Sequence, residues 1–234
     1  MKKTVVITGG TSGYGLATAK KFKENGYTVI IASRNIDKVN KTVSENGFDA
    51  GYLLDVTDYS NWVAVKNEII AKFGKVDVLV NNAGGGVAIE ETVNQTVENI
   101  DKTIALNLNS VIYGSKLFGE EMKKNKSGTI INISSVCARH CWGGWSVYAA
   151  AKAGVLNFTK GLYVEMRPHG VRATCIIPAA AATGFQRGAG IGEENQTLTP
   201  ADIANSVYFA ATQPEGTVVE EMTVWGTSQD VQPL

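Results

Sequence analysis

The sequence predicts an α/β fold: a doubly wound, seven-stranded parallel sheet with helices on both faces. Three observations predict it. Short runs of continuously apolar, β-branched residues recur along the 234-residue chain. Amphipathic stretches long enough for helices separate them, and several of these end on a glycine. A strand that is apolar at every position is buried on both faces, which in a layered protein means parallel strands joined by helical crossovers. The length suits one large domain. Nothing reads as a linker, a repeat or a low-complexity segment, so residues 1–234 are taken as a single domain.

Thr4 to Thr8 is the first strand, and Gly13 to Asn25 a helix that stops at Gly26, because glycine tolerates the left-handed turn of a helix end. Thr28 to Ala32 is the second strand, followed by a helix from Ile36 to Asn46 that ends at Gly47. Gly51 to Leu54 is the third strand. A helix from Asn61 to Phe73, closed by Gly74, follows a cap at Thr57 or Asp58. Val76 to Val80 is the fourth strand, and residues near 96–105 and 107–125 form two long helices. Thr129 to Ile133 is the fifth strand, Val147 to Met166 a long helix, and Val171 to Ile177 the sixth strand. Pro200 to Thr212 is a helix and Met222 to Trp225 the seventh strand.

Composition excludes several function classes. Hydrophobic residues make up 44% of the chain, enough for a sizeable core, and charged residues 19%, too few for disorder. Lys+Arg and Asp+Glu both number 22, so the basic excess of a nucleic-acid binder is missing. No apolar run can span a bilayer, and Val5-Val6-Ile7 behind two lysines is too short for a signal peptide, so a cytoplasmic protein without membrane partners is expected. The three cysteines, Cys137, Cys141 and Cys175, are too few and odd in number for a disulfide framework. With His140 and His169 as the only histidines they make no four-ligand metal set, and no metal is expected.

In such sheets ligands bind beyond the carboxyl ends of the strands, where the winding reverses. The first strand runs into Thr8-Gly9-Gly10-Thr11-Ser12-Gly13-Tyr14-Gly15 and then a helix. Glycines there let the backbone turn tightly against a pyrophosphate, and the helix N-terminus offers free N–H groups. The spacing Gly-x-x-x-Gly-x-Gly is a variant of the dinucleotide fingerprint. It points to a single-domain Rossmann fold, with Gly9, Thr11, Ser12, Gly13, Tyr14 and Gly15 against the cofactor. The second strand ends at Ser33-Arg34-Asn35. An acid at this place would take the ribose hydroxyl of NAD, whereas arginine suits the extra phosphate of NADP. The acid is missing and Arg34 is present, so NADP(H) is preferred over NAD(H), although the Gly-rich loop carries no second basic residue. Asp55 and Val56 follow the third strand and are expected at the adenine. Asn82, Ala83 and Gly84 follow the fourth, small enough to pass close to a ligand, and Gly85 and Gly86 extend the stretch.

Tyr148 and Lys152 stand at positions i and i+4 near the start of a helix, on one face. A nearby ammonium favours phenolate and lowers the phenol pKa, which suits a general acid/base. Ser135, thirteen residues before Tyr148, lies just past the fifth strand and could bond a substrate oxygen. Ser134 is its rival, since alternation points one inward and one outward.

These motifs together resemble the short-chain dehydrogenase/reductase family over nearly the whole chain. They are TGGTSGYG at 8–15, NNAG at 81–84, Asn107 in a helix, INISS at 131–135, YAAAK at 148–152, and Pro178 with Thr183 after the sixth strand. The resemblance implies that Tyr148 exchanges the proton with the substrate oxygen. It implies that Lys152 lowers the phenol pKa and holds the nicotinamide ribose. Ser135, which matches the family interval where Ser134 does not, polarises the carbonyl, and Asn107 holds a water leading to Lys152. Pro178 and Thr183 join the cofactor set. The family usually has Pro-Gly where this chain has Pro178-Ala179, so the nicotinamide-side loop is expected to sit differently. Residues 183–199 are expected to form a short lid over substrate.

The resemblance implies an NADP(H)-dependent oxidoreductase interconverting a secondary alcohol or hydroxy acid and a ketone or aldehyde. Cys137, His140, Trp142 and Trp145 crowd the segment beside the substrate pocket and are its candidate lining; the tryptophans could equally pack core or a subunit contact. The C-terminal pattern from Thr199 to Ala204 and Val218 to Met222 resembles the branch with 3-hydroxy acid and serine dehydrogenases, and Trp225-Gly226 departs from it. Arg139 and Arg187 are the candidate partners for a substrate carboxylate. Family members pair through the helices around 107–125 and 148–166, which implies a homotetramer, a dimer of dimers. Competing readings are a non-catalytic NAD(P)-sensing protein, an NAD-dependent dehydrogenase of a cyclic or steroid alcohol, and a sugar-nucleotide epimerase or dehydratase.

Overall fold

The computed structural model describes residues 2–180, 198–227 and 229. Seven parallel strands form one sheet: β1 (Thr4–Thr8), β2 (Thr28–Ser33), β3 (Ala50–Leu53), β4 (Val78–Asn81), β5 (Gly128–Ile133), β6 (Val171–Pro178) and β7 (Glu221–Val224). Their order is β3-β2-β1-β4-β5-β6-β7, so the winding reverses between β1 and β4. Helices α1 (Gly13–Glu24), α2 (Ile36–Asn46), α3 (Tyr59–Phe73), α4 (Val97–Ile104), α5 (Ser110–Lys124), α6 (Ser146–Met166) and α7 (Pro200–Ala211) cover both faces. None of the described helices is long and apolar enough to cross a membrane.

The two-residue period of a strand divides the core. Val5 and Ile7 face one way, into a cluster with Phe22, Val29 and Ile31. Val6 faces the other, into a cluster with Ile30, Leu79, Trp62 and Phe118. Full burial of each such side chain contributes about 1.5–3 kcal/mol, so one-residue slips in register are strongly disfavoured. The indole of Trp62 also donates to the Val56 carbonyl (3.0 Å), which ties the chain after β3 to α3.

Element boundaries moved where capping or pairing outweighed the apolar pattern. α3 begins at Tyr59, not Asn61, because the Asp58 carboxylate accepts from the Ser60 and Asn61 amides. β4 begins at Val78, not Val76; the Asp77 carboxylate and amide both bond the Thr4 backbone and close the strand's lower end. The two helices expected near 96–105 and 107–125 are one continuous path, α4 and α5 joined by a wide π turn over Ala105–Asn109. Such turns concentrate at functional sites, and this one carries Asn107.

Candidate active site

At the upper end of β1 the chain must turn into α1 while β4 passes alongside. The Thr8 hydroxyl accepts from the Asn82 and Ala83 amides (3.0 Å each), and the Asn82 side chain donates to the Thr8 carbonyl (2.9 Å). Gly9 turns with φ +65°, and a Cβ on it would sit 2.9 Å from the Asn82 amide nitrogen. Gly15 is tighter still: its Cβ would lie 2.3 Å from the Gly9 carbonyl oxygen. Gly15 therefore lets α1 close onto the loop and does not itself line the cavity. At the α1 N-terminus Ser12 makes no side-chain cap and the first turn holds no acid, so the free N–H groups remain available to an anion.

This loop forms one wall of a cavity of about 850 Å³ that runs along the carboxyl ends of the strands. Gly9, Thr11, Ser12, Gly13, Tyr14, Ser33, Arg34, Val56, Asn82, Ala83 and Gly84 line it, as do Gly85, Gly86 and Leu54. Asn35 and Asp55, expected at the cofactor, are not among the lining residues. The Asn35 side chain caps α2 by accepting from the Lys38 amide (2.8 Å). The Asp55 carboxylate accepts from the Thr57 amide (2.9 Å) and hydroxyl (2.7 Å). Both side chains are thus engaged in local caps. Lys38 is a lining residue that the sequence reading missed. It is the second basic group, supplied by the first turn of α2 and not by the Gly-rich loop, and counting one turn past the strand end would have found it.

The catalytic candidates converge farther along, beyond β4 and β5. The Asn107 side chain is wholly buried and spends both amide hydrogens on backbone, on the Gly85 carbonyl (2.9 Å) and the Thr103 carbonyl (3.0 Å), while its oxygen accepts from the Gly85 amide (3.0 Å). These bonds fasten the glycine strap to the π turn. The two serines divide cleanly. The buried Ser134 hydroxyl donates to the Lys152 carbonyl (2.8 Å), a structural bond to α6. The Ser135 hydroxyl bonds the Tyr148 phenol and also accepts from the Cys137 amide (3.2 Å). Beneath them Asn132 links Asn81 (2.8 Å) to Thr159 on α6 (3.0 Å), so β4, β5 and α6 are held as one floor.

Tyr148 and Lys152 are almost fully buried, at 7% and 3% exposure. The Lys152 ammonium lies 5.7 Å from the Tyr148 ring centroid and donates to the Ile133 carbonyl (3.0 Å). Burial pulls the Lys152 pKa down to about 8. Burial also pushes the Tyr148 phenol well above its ordinary value, against the lowering by Ser135. The expected lowering by Lys152 is therefore not the dominant effect on the phenol here; desolvation is. Pro178, Ala179 and Ala180 close the far side. Ala179 takes the place of a glycine without left-handed backbone, since Lys126 is the one non-glycine residue with positive φ among the described residues. Its amide donates to the Val224 carbonyl (2.8 Å) and its carbonyl accepts from the Tyr14 hydroxyl (3.2 Å).

The remaining wall is aromatic. Cys137, Trp142 and Trp145 line the cavity, and so does Trp225, which the sequence reading noted but did not assign to the site. Trp225 lies just past the end of β7, where the strand-end rule would have put it. The Trp145 and Tyr148 rings meet edge to face at 5.4 Å. His140 is not a lining residue; its ring stands beside those of Trp142 (6.2 Å) and Trp225 (5.6 Å). Arg139 is also off the cavity, paired with Glu221 on β7. Thr183, Arg187 and all but Leu198 and Thr199 of the expected lid lie outside the described residues. Thr199 caps α7 with a reciprocal bond to Asp202.

The profile of the family described as short chain dehydrogenase matches residues 3–194. An uncharacterized oxidoreductase of Staphylococcus haemolyticus is 30% identical over 224 residues, which cover 95% of this chain and 96% of that protein. Among solved structures, the closed form of a serine dehydrogenase complexed with NADP+ superimposes with a TM-score of 0.93 at 26% identity, covering 99% of this chain and 98% of that one. An alcohol dehydrogenase from the archaeon Thermococcus sibiricus, complexed with 5-hydroxy-NADP, gives a TM-score of 0.89 at 25% identity over the full length of both chains.

Proposed function

The chain belongs to the short-chain dehydrogenase family, and on that premise we propose that this oxidoreductase interconverts a secondary alcohol and a ketone or aldehyde with NADP(H), using Tyr148 as general acid/base. The observation that carries the reading is the Ser135–Tyr148 hydrogen bond at the cavity wall, with Lys152 behind it. Two hydroxyls aimed at one place are what a carbonyl oxygen needs.

The cradle suits a dinucleotide. Glycines keep Cβ atoms out of it, the α1 N-terminus is free for the pyrophosphate, and Ser33, Arg34 and Lys38 meet its adenosine end with no acid among them. The paired basic groups favour NADP(H) over NAD(H), as do the NADP ligands of the serine and alcohol dehydrogenases. When bound, the nicotinamide supplies or accepts the hydride. Ser135 donates to the substrate oxygen and orients it. Tyr148 gives its phenolic proton to that oxygen as it becomes an alkoxide, or takes the proton back in oxidation. A neutral phenol holds the proton that the first role needs. The Lys152 ammonium stabilises the phenolate left behind and offers its hydrogens to the cofactor ribose. Asn107 acts as a positioning residue, through Gly85.

The test is Tyr148→Phe. Its turnover of a ketone with NADPH falls by about two to four orders of magnitude, while NADPH binding followed by fluorescence changes less than about threefold. Full activity in that variant rejects the mechanism. The same titration with NADH, if tighter, rejects the cofactor preference. We further propose a cytoplasmic homotetramer; a monomer in light scattering removes the assembly.

A further inference from the structure

We infer that the substrate half of this cavity is built for an uncharged carbonyl compound carried on a flat, apolar ring system. The inference rests on the oxidoreductase reading above and names the substrate class of the same site.

Three tryptophans, Trp142, Trp145 and Trp225, are half-buried and line the cavity. Trp145 stands edge-on to the Tyr148 ring at 5.4 Å, so a ring bearing the reacting carbonyl meets indole beside the proton donor. Trp142 and Trp225 come from chain segments more than eighty residues apart, and the His140 ring holds them together from behind. An outer polar network fixes that arrangement. Arg139 bonds Glu221 and Thr223 on β7, and Glu221 also pairs with Lys160 on α6 (3.1 Å). Indole surface left half-open in a concave site gains most when a flat apolar group covers it, by area burial and by edge-to-face contact.

Charge supports the same choice. The described lining contains no Asp or Glu, and its cations are Arg34, Lys38 and Lys152. Arg34 and Lys38 follow β2, three strands from β5, or about 14 Å away. Lys152 is bonded to the Ile133 carbonyl, and on the reading above its other hydrogens go to the cofactor ribose. Arg139, one of the two arginines expected for a substrate carboxylate, has its charge taken by Glu221, and the other, Arg187, lies outside the described residues. Among the described residues, a substrate carboxylate or phosphate would be desolvated here without a partner, and an ammonium would face Lys152 with no acid to offset it. Cys137 adds another neutral surface, because burial pushes its thiol up.

The experiment is a matched panel: tetralone, a ring-carboxylated tetralone, a ring-aminomethylated tetralone and acetone. Two readouts are taken, kcat/KM with NADPH and quenching of tryptophan fluorescence in the Tyr148→Phe variant. Tetralone is expected to exceed each of the other three by about tenfold or more in kcat/KM, and to quench at the lowest concentration. Trp142→Ala is expected to lower kcat/KM for tetralone about tenfold and that for acetone less than threefold, with Trp142→Phe recovering most of the loss. A charged analogue or acetone that equals tetralone overturns the substrate class and leaves the oxidoreductase reading standing. Reduction of none of the four, with tetralone still quenching first, overturns the oxidoreductase reading while the ring preference stands. Absence of both turnover and quenching by tetralone overturns the inference outright.

Discussion

The half of the cavity proposed for the cofactor and the half proposed for the substrate are built from different materials. From Gly9 to Gly86 the wall is largely backbone: glycines with no room for a Cβ, amides pinned by Thr8 and Asn82, and a strap held by Asn107. From Cys137 to Trp225 it is side chain: indoles, a thiol and a phenol carried on short turns and strand ends. A backbone wall tolerates almost no change at its tight points, because a misplaced methylene has nowhere to go in close-packed surroundings. A side-chain wall can be repacked for a new ligand without moving the fold.

Alanine placed at a glycine packed behind the first wall and at one in the loop that carries the second gives the widest contrast. A Cβ on Gly15 meets the Gly9 carbonyl oxygen at 2.3 Å and the Asn82 amide at 2.6 Å. On Gly143, in the tryptophan loop, it meets nothing within 4 Å. Gly15→Ala is expected to cost about 3 kcal/mol and to lower the thermal midpoint by roughly 6 °C or more. Gly143→Ala should stay within about 0.5 kcal/mol. Equal melting temperatures for the two variants would break the comparison.

A smaller effect sharpens the cofactor half itself. Arg34 and Lys38 line the adenosine end, and a charge-assisted bond to phosphate contributes about 1.5–3 kcal/mol. Arg34→Ala combined with Lys38→Ala should weaken NADPH binding about 30-fold and NADH binding less than twofold. Titrations that fall equally for both cofactors would show that these side chains serve the fold and not the phosphate.

The difference in material also explains what could be read from the chain. Tight backbone leaves a trace in composition, so the run from Thr8 to Gly15, Asn82 to Gly84, and the doubly wound parallel sheet around them were legible. Asn35 and Asp55 could not be placed by residue type, because Asn and Asp cap local turns as readily as they bind ligands, and both side chains here make local caps. Trp225 went unassigned because nothing local distinguishes a cavity tryptophan from a core one; only the pairing of β7 with β6 brings it to the site. Ser134 and Ser135 could not be separated by residue type. Their separation needed the orientation of α6, which offers one of them a carbonyl and the other a phenol.

Lys152 sits where the two halves meet, and it shows what the junction costs. The residue is 3% exposed, its ammonium has one backbone acceptor, and burial pulls its pKa from 10.5 down to about 8. Below about pH 8 both the folded and the unfolded chain hold this proton, and the folded chain bears the full desolvation penalty. Between about 8 and 10.5 the folded chain releases the proton while the unfolded chain keeps it, so stability rises with pH across that window. Lys152→Met removes the buried charge, and loses one hydrogen bond of about 1 kcal/mol. The variant should therefore be more stable than the parent at pH 7 by about 1–2 kcal/mol, although turnover is lost. Its advantage should shrink between pH 8 and 10, because only the parent gains there. Thermal melts of both proteins at pH 7 and pH 9.5 read this directly. A variant that melts lower at pH 7, or a gap that widens with pH, would mean that the ammonium is stabilised in the fold by more than the Ile133 carbonyl.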